Sequence, residues 1–352
     1  MMLKSLQLQN FRSYQKEAFK FSQGTNLVVG PNTSGKTNLL EAIYLLATGK
    51  SFRAQTEQEM ISYERELARV KAAVEGEEGL EELEIILTPG QIQNQRTLKK
   101  QYLLNGVRKR QIDFLGHLNS VFFGPEDLEI VIGSPSIRRD YLDAVLEQVD
   151  RDYRRASLSY QKSLRQRNKL LEQIRDKGRA KSSLFLWNKL ILENGEVMSQ
   201  KRGELIDFIN QQPDYFGDLV IDYQKSLLSP LRLEQYQTKE IGAGMTLIGP
   251  HRDDFSLNLV NGGEERNLHL FGSRGEQRTA VFSLKLAELE FVAAKTGQRP
   301  ILLLDDIFSE LDHERRQHLV TIIPKQQTIL TTTDIHLVEP DYRKKVKMIK
   351  LK

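Results

Sequence analysis

Gly30-Pro31-Asn32-Thr33-Ser34-Gly35-Lys36-Thr37 follows the short apolar run Leu27-Val28-Val29. It precedes a stretch with apolar residues at helical spacing, Leu39, Leu40, Ile43 and Leu46. A glycine, four residues and then Gly-Lys-Thr, set between a strand and a helix, is the phosphate-binding P-loop pattern in the context it requires. Backbone N–H groups of such a loop surround the β- and γ-phosphates, and the helix N-terminus adds its positive dipole end. Lys36 brings a point charge to the same oxygens, and Thr37 is placed to ligate Mg²⁺. The eight residues from Gly30 to Thr37 are therefore the candidate ATP-binding loop, with Lys36 also a candidate catalytic residue.

Two further segments complete a phosphate chemistry. Ile301-Leu302-Leu303-Leu304 is a buried-strand pattern ending in Asp305-Asp306. Ligands of open α/β sheets lie beyond the carboxyl ends of the strands, so Asp305 is expected at the Mg²⁺ and Asp306 at the attacking water. Gly272-Ser273-Arg274-Gly275-Glu276-Gln277-Arg278 opens an apolar helix expected over Glu276–Ala294. It reads as a second anion site at a helix N-terminus. Ser273 followed by Glu276 also spells a capping box, and the two readings are compatible.

The rest of the chain frames these motifs. At 352 residues two lobes are expected, and 39% apolar residues supply a core. The absence of cysteine excludes disulfides and thiolate metal sites. No run of 18 apolar residues exists, and the N-terminus reads as a first strand, so a cytoplasmic protein with no membrane partner is expected. Alternating strands and helices imply a mostly parallel sheet. We read an ATPase head in two pieces, 1–120 and 243–352, with a helical arm at 121–242 built from two long helices folded back on each other. Asn105-Gly106 marks a hairpin.

Charge is uneven. The chain is +4 overall, yet residues 150–182 hold eleven basic residues against four acidic, a local +7. A cationic stretch of this kind points to a polyanion such as DNA, because non-specific affinity comes mainly from Lys and Arg near phosphates. Arg154, Arg155, Lys162, Arg165, Arg167 and Lys169 are the candidate contacts; a solvated helix face or a protein-docking face remains the alternative. Arg12 and Arg53 reach phosphate or DNA, or are surface charges. His251 is expected to hold the fold rather than a metal.

These residues resemble the ATP-binding-cassette heads of the SMC and Rad50 type and, more closely, the RecF family of bacterial recombination mediators. The resemblance runs through Leu8-Gln9-Asn10-Phe11-Arg12-Ser13-Tyr14, Gly49-Lys50-Ser51-Phe52-Arg53, Gly133 to Asp143, Gly249-Pro250-His251-Arg252-Asp253-Asp254, Ser273 to Arg278 and Leu303 to Asp312. It implies an α/β ABC-type head that homodimerises on ATP, with Ser273, Arg274 and Gly275 reaching the partner's nucleotide. It also implies a D-loop at Ser309 to Asp312, a slow DNA-stimulated ATPase, and DNA as ligand (single- and double-stranded, with gap junctions). RecR, RecO and, indirectly, the RecA filament are the implied partners, in repair and replication restart at single-strand gaps. Glu126 stands where a Q-loop equivalent is sought, and Thr332 or Thr333 where transporter heads place a switch histidine. The other readings are an SMC- or Rad50-like structural head, which needs a longer coiled coil, and a transporter ATPase, which needs a membrane partner.

Overall fold

A computed structural model describes residues 1–76, 79–92, 94–212, 218–261, 263–310, 313–335, 343, 344 and 346–351. They form two compact units, residues 1–127 with 288–352, and residues 128–287.

The first unit holds two sheets of different kind. Strands Met2–Phe11, Tyr14–Lys20, Ala68–Gly76, Gly79–Leu87, Lys100–Leu104 and Val107–Lys109 make a six-stranded sheet in which every pairing is antiparallel. Along Met2–Phe11 the residues Leu6, Leu8 and Phe11 are buried while Gln7 and Gln9 face water, the alternation of a half-covered sheet. The Asn105-Gly106 turn has positive φ at both residues (52° and 76°), the type I′ geometry that matches strand twist.

The second sheet is parallel throughout, in the order Ser120–Phe123, Ile301–Asp305, Thr328–Thr332, Thr25–Val29 and Lys347–Lys350. Its central strands read as unbroken apolar or threonine runs because both faces are covered. The helix Lys36–Thr48 touches both sheets and is buried almost all round. A helix apolar on every face belongs in an interior. It stops at Gly49, whose φ of 71° suits a glycine C-cap and whose N–H donates to the carbonyl of Leu45.

In the second unit, the first of the two long helices is broken near residue 150, as its pattern allowed, into Pro135–Val149 and Arg151–Lys177, and the second is Phe185–Asn210. The break falls at Asp150, whose carboxylate caps the next helix by accepting from the Tyr153 N–H. The helices Arg151–Lys177 and Phe185–Asn210 pack as a hairpin of about 40 Å each at 1.5 Å per residue. Strands Asp218–Gln224, Asp254–Asn261 and Glu264–Asn267 form an antiparallel sheet beside them. That sheet explains why this unit runs to residue 287 rather than stopping at 242. Strand Asp218–Gln224 pairs with a strand beyond the expected boundary, so 243–287 folds with the helices.

A buried polar knot holds this unit. Arg202 is about 1% exposed and donates to Asp143 (2.7 Å), Asp253 (3.0 Å), the Pro250 carbonyl (2.7 Å) and Tyr153 Oη (3.0 Å). His251 completes it, with one ring nitrogen on Tyr160 Oη (2.8 Å) and the other on the Thr246 carbonyl (3.1 Å). Burial pushes the His251 imidazole down to about 4, so it is neutral at physiological pH and serves the fold, as its lack of ligand-spaced partners implied. No described helix is long and apolar enough to cross a membrane.

Candidate nucleotide site

The P-loop lies between strand Thr25–Val29 and helix Lys36–Thr48, and its shape follows from its small residues. Gly35 has φ 96°, and a Cβ there would sit 2.8 Å from Tyr14 Oη, so only glycine fits. At Gly30 a Cβ would come within 2.6 Å of Ser34 Oγ. Pro31, Asn32 and Thr33 are exposed at the rim. Ser34 Oγ is buried with no hydrogen-bond partner among the described residues, an orphan that a phosphate oxygen would satisfy. Gly35 caps the helix without a side-chain bond and the first turn carries no acid, which leaves its N–H groups available to an anion. The loop fits a nucleotide polyphosphate.

Lys36 is buried, and its Nζ donates to the carbonyls of Gly30 and Pro31 at 2.8 Å each. Burial lowers its pKa from the ordinary lysine value against the pull of Asp306 and Asp305. The two aspartates stand at the end of strand Ile301–Asp305, as the placement of ligands beyond strand ends requires. Thr37 Oγ1 donates to Asp305 Oδ2 at 2.6 Å, tying the P-loop helix to the carboxylate strand across 268 residues of sequence. These two oxygens suit a hard divalent cation. Among the described residues no group of three or more His, Asp or Glu side chains could hold a metal alone. Mg²⁺ here would therefore be shared between Thr37, Asp305 and substrate phosphates, its usual mode.

A third residue belongs to this constellation and was missed in the sequence. Thr331 Oγ1 donates to Asp305 Oδ1 at 2.6 Å and accepts from the backbone N–H of Asp306 at 3.0 Å. The parallel register sets Thr331 opposite Asp305. Of the two threonines that stand where transporter heads place a switch histidine, Thr332 closes a local turn with Asp334 and Thr333 is exposed. Asp306 has φ 48°, a left-handed backbone that turns the chain sharply after the strand.

Glu126 lies in the short 3₁₀ turn Pro125–Leu128, with Oε2 buried and unpartnered among the described residues. Burial, followed by the charges of Asp305 and Asp127, raises its pKa against a hydrogen bond from its own backbone and the charge of Arg53. Arg12 and Arg53 are not loose surface charges. Both are bound to Glu41, a fully buried carboxylate in the P-loop helix.

The second anion-site segment, Gly272 to Arg278, belongs to the second unit. Ser273 N–H donates to Glu276 Oε2 (2.7 Å) and the Glu276 N–H to Ser273 Oγ (3.3 Å), so the capping box forms. Ser273, Arg274 and Gly275 are exposed at the start of helix Arg274–Thr296, with no described side chain within 4 Å of a Cβ added at Gly275. Of the D-loop segment, Ser309 and Glu310 end the short helix Ile307–Glu310, and Leu311 and Asp312 lie outside the described residues.

Two of the expected DNA-binding residues are corrected. Arg167 is about 1% exposed and donates to Glu240 (2.6 Å), Thr246 (2.7 Å) and Asn188 (2.7 Å). Arg154 is buried and donates to the carbonyls of Glu147 and Gln148. Arg167 points inward because it shares the helix face of Tyr153, Tyr160 and Leu171, whereas Arg154, about 100° round from Tyr153, is buried by its bonds to the end of the preceding helix. Arg155, Lys162, Arg165 and Lys169 are exposed, and 100° per residue sets them within about 80° of one another on the outer face.

Residues 2–350 match the family model described as the RecF/RecN/SMC N terminal domain. The chain is 38% identical to a DNA replication and repair protein RecF of Herpetosiphon aurantiacus, over 97% of this chain and 96% of that protein. It is 39% identical to the protein of the same name from an Exiguobacterium species, over 95% and 93%. A solved structure described as the recombination mediator protein RecF-ATP in the RecFOR pathway superimposes with a TM-score of 0.86 at 32% identity, covering 96% of this chain and 93% of that one.

Proposed function

This chain belongs to the RecF family of DNA replication and repair proteins, and from that membership and the site geometry we propose that it is an ATP-switched DNA-binding dimer. Its nucleotide is ATP. The observation that carries the mechanism is the hydrogen-bonded line Thr37–Asp305–Thr331, which joins the P-loop helix to the ends of two adjacent parallel strands.

In this reading the loop amides, Ser34 and Lys36 hold the polyphosphate. Thr37 and Asp305 would hold Mg²⁺, which would supply charge neutralisation at the phosphates. Asp306 orients or deprotonates the attacking water, and Glu126 lines the same site as the Q-loop equivalent. Ser273, Arg274 and Gly275, exposed at a helix N-terminus, close on the nucleotide of a second copy. Closure creates the DNA groove and slow hydrolysis opens it. RecR and RecO are the partners proposed, on the strength of the family and of a related structure described within the RecFOR pathway. The helical hairpin of about 40 Å is short for an SMC-like structural coiled coil, and the family favours the repair reading over a transporter subunit.

Gel filtration with and without ATP-Mg²⁺, repeated with gapped DNA, tests this directly. A shift from monomer to dimer on ATP, strengthened by DNA, is expected; an elution position indifferent to both would remove the reading.

The exposed arm face gives a separate expectation. Replacing Lys162, Arg165 and Lys169 together by glutamine should weaken all DNA sequences about equally. The slope of log K against log salt should shrink by roughly 0.7–0.9 for each phosphate that these side chains no longer neutralise. Arg167 is left alone, because removing it would strand Glu240 as a buried unpaired charge at a cost of about 3–5 kcal/mol. An unchanged salt slope, with loss of RecR or RecO binding, would assign this face to a protein instead.

A further inference from the structure

Glu41 is a charged residue in the middle of an apolar helix, and its side chain is fully buried. Both of its oxygens are crowded with donors. Oε1 accepts from Arg12 Nη2 at 2.6 Å and Ser51 Oγ at 2.5 Å. Oε2 accepts from Arg12 Nε at 2.8 Å and from Arg53 Nη2 and Nε at 2.9 and 3.2 Å. Five donors meet a group with about four lone-pair sites. Burial alone would raise the Glu41 pKa, but the bonds from Arg12, Ser51 and Arg53 hold it below its ordinary value.

One arginine suffices to neutralise one carboxylate. The trio of Arg12, Arg53 and Glu41 instead carries a net charge of +1, and the surplus is exposed while the anion is not: the side chains are 19% and 32% exposed against 0%. The surplus also lies beside the P-loop helix. Arg53 Nη2 donates to Asn38 Oδ1, and Asn38 Nδ2 donates to Ser13 Oγ at 2.8 Å, so the arginine lies along the helix turn that carries Lys36 and Thr37. Arg12 sits at φ 52° in the turn between the first two strands, where its Nη1 donates to the Glu59 carbonyl at 2.6 Å. The charges of Arg53 and Asp305 both act on Glu126, which places Arg53 in the field of the nucleotide site.

We propose that Glu41 is a positioning residue for phosphate recognition, a buried carboxylate that fixes Arg12 and Arg53 as paired guanidinium donors to the polyphosphate of the bound nucleotide. A lysine at either position would lack the planar fork that binds carboxylate and phosphate bidentately. A purely structural Glu41 would need neither two arginines nor an exposed net charge. The inference rests on the nucleotide reading of the P-loop.

The test is a double-mutant cycle on ATP affinity, with Glu41→Gln, Arg53→Gln and their combination. Thermal melting identifies the folded fraction, and Lys36→Met serves as control. Glu41→Gln should weaken ATP about tenfold in the folded protein, and the double variant should lose little more than the larger single effect. Arg53→Lys, which leaves Glu41 intact, should also weaken ATP about tenfold and covers the case in which Glu41→Gln does not fold. Titration with DNA in the absence of nucleotide separates the two sources of phosphate. ATP affinities within threefold of the parent overturn the proposal, as do additive effects or a loss confined to DNA. Normal ATP binding in Lys36→Met would instead overturn the nucleotide reading beneath it.

Discussion

Lys36→Met is expected to weaken ATP binding by about ten- to a hundredfold. The ammonium is the charge within the P-loop itself, and a hydrogen bond to a charged group contributes about 1.5–3 kcal/mol, or one to two decades of affinity. Burial raises the stakes, since Lys36 is only about 7% exposed and its charge is poorly screened. Methionine keeps the length and fills the same channel, but it leaves the carbonyls of Gly30 and Pro31 without their donor. A melting curve therefore accompanies the titration, to separate loss of the charge from a collapsed loop. Lys36→Arg refines the reading. It retains the charge while replacing a compact ammonium by a planar fork, so binding should recover more than turnover. ATP affinity of a folded Lys36→Met within threefold of the parent would remove the P-loop assignment.

How much of this was legible in the sequence depends on how local each interaction is. The P-loop and the carboxylate strand were readable because each is one contiguous segment whose flanking pattern names its own context. Thr331 was not. Its importance comes from the register of two parallel strands, and nothing in Thr328–Thr332 says which residue stands opposite Asp305. Glu41 left a faint signal, a carboxylate amid Leu39, Leu40, Ala42 and Ile43, but its partners lie 29 and 12 residues away on other segments. Arg167 shows the opposite failure. A local charge count treats every cation in a helix alike, whereas helical spacing already sets Arg167 on the face of Leu171 and Ile174. The boundary at residue 287 was hidden for the same reason as Thr331, since it depends on a strand pairing between distant segments.

Asp306→Asn should reduce ATP turnover by about 10²–10⁴-fold, the usual range for removing a general acid–base group, while leaving ATP affinity within a few-fold of the parent. The choice of asparagine follows from the backbone. Asp306 sits at φ 48°, a conformation that asparagine adopts readily and most other side chains do not. Alanine at this position would confound the missing chemistry with strain. The hydrogen bond from the Asp306 N–H to Thr331 Oγ1 is a backbone bond and survives the change, so Asp305 keeps its own support from Thr331 and Thr37. What disappears is one negative charge at the place proposed for the attacking water. If hydrolysis opens the dimer, a variant that binds ATP and does not consume it should remain closed. Gel filtration in ATP-Mg²⁺ should then show a dimer that outlasts the parental one, with phosphate release measured on the same samples. Parental turnover would move the hydrolytic role away from Asp306. Abolished turnover with no longer-lived dimer would show instead that hydrolysis does not set the lifetime of the closed state.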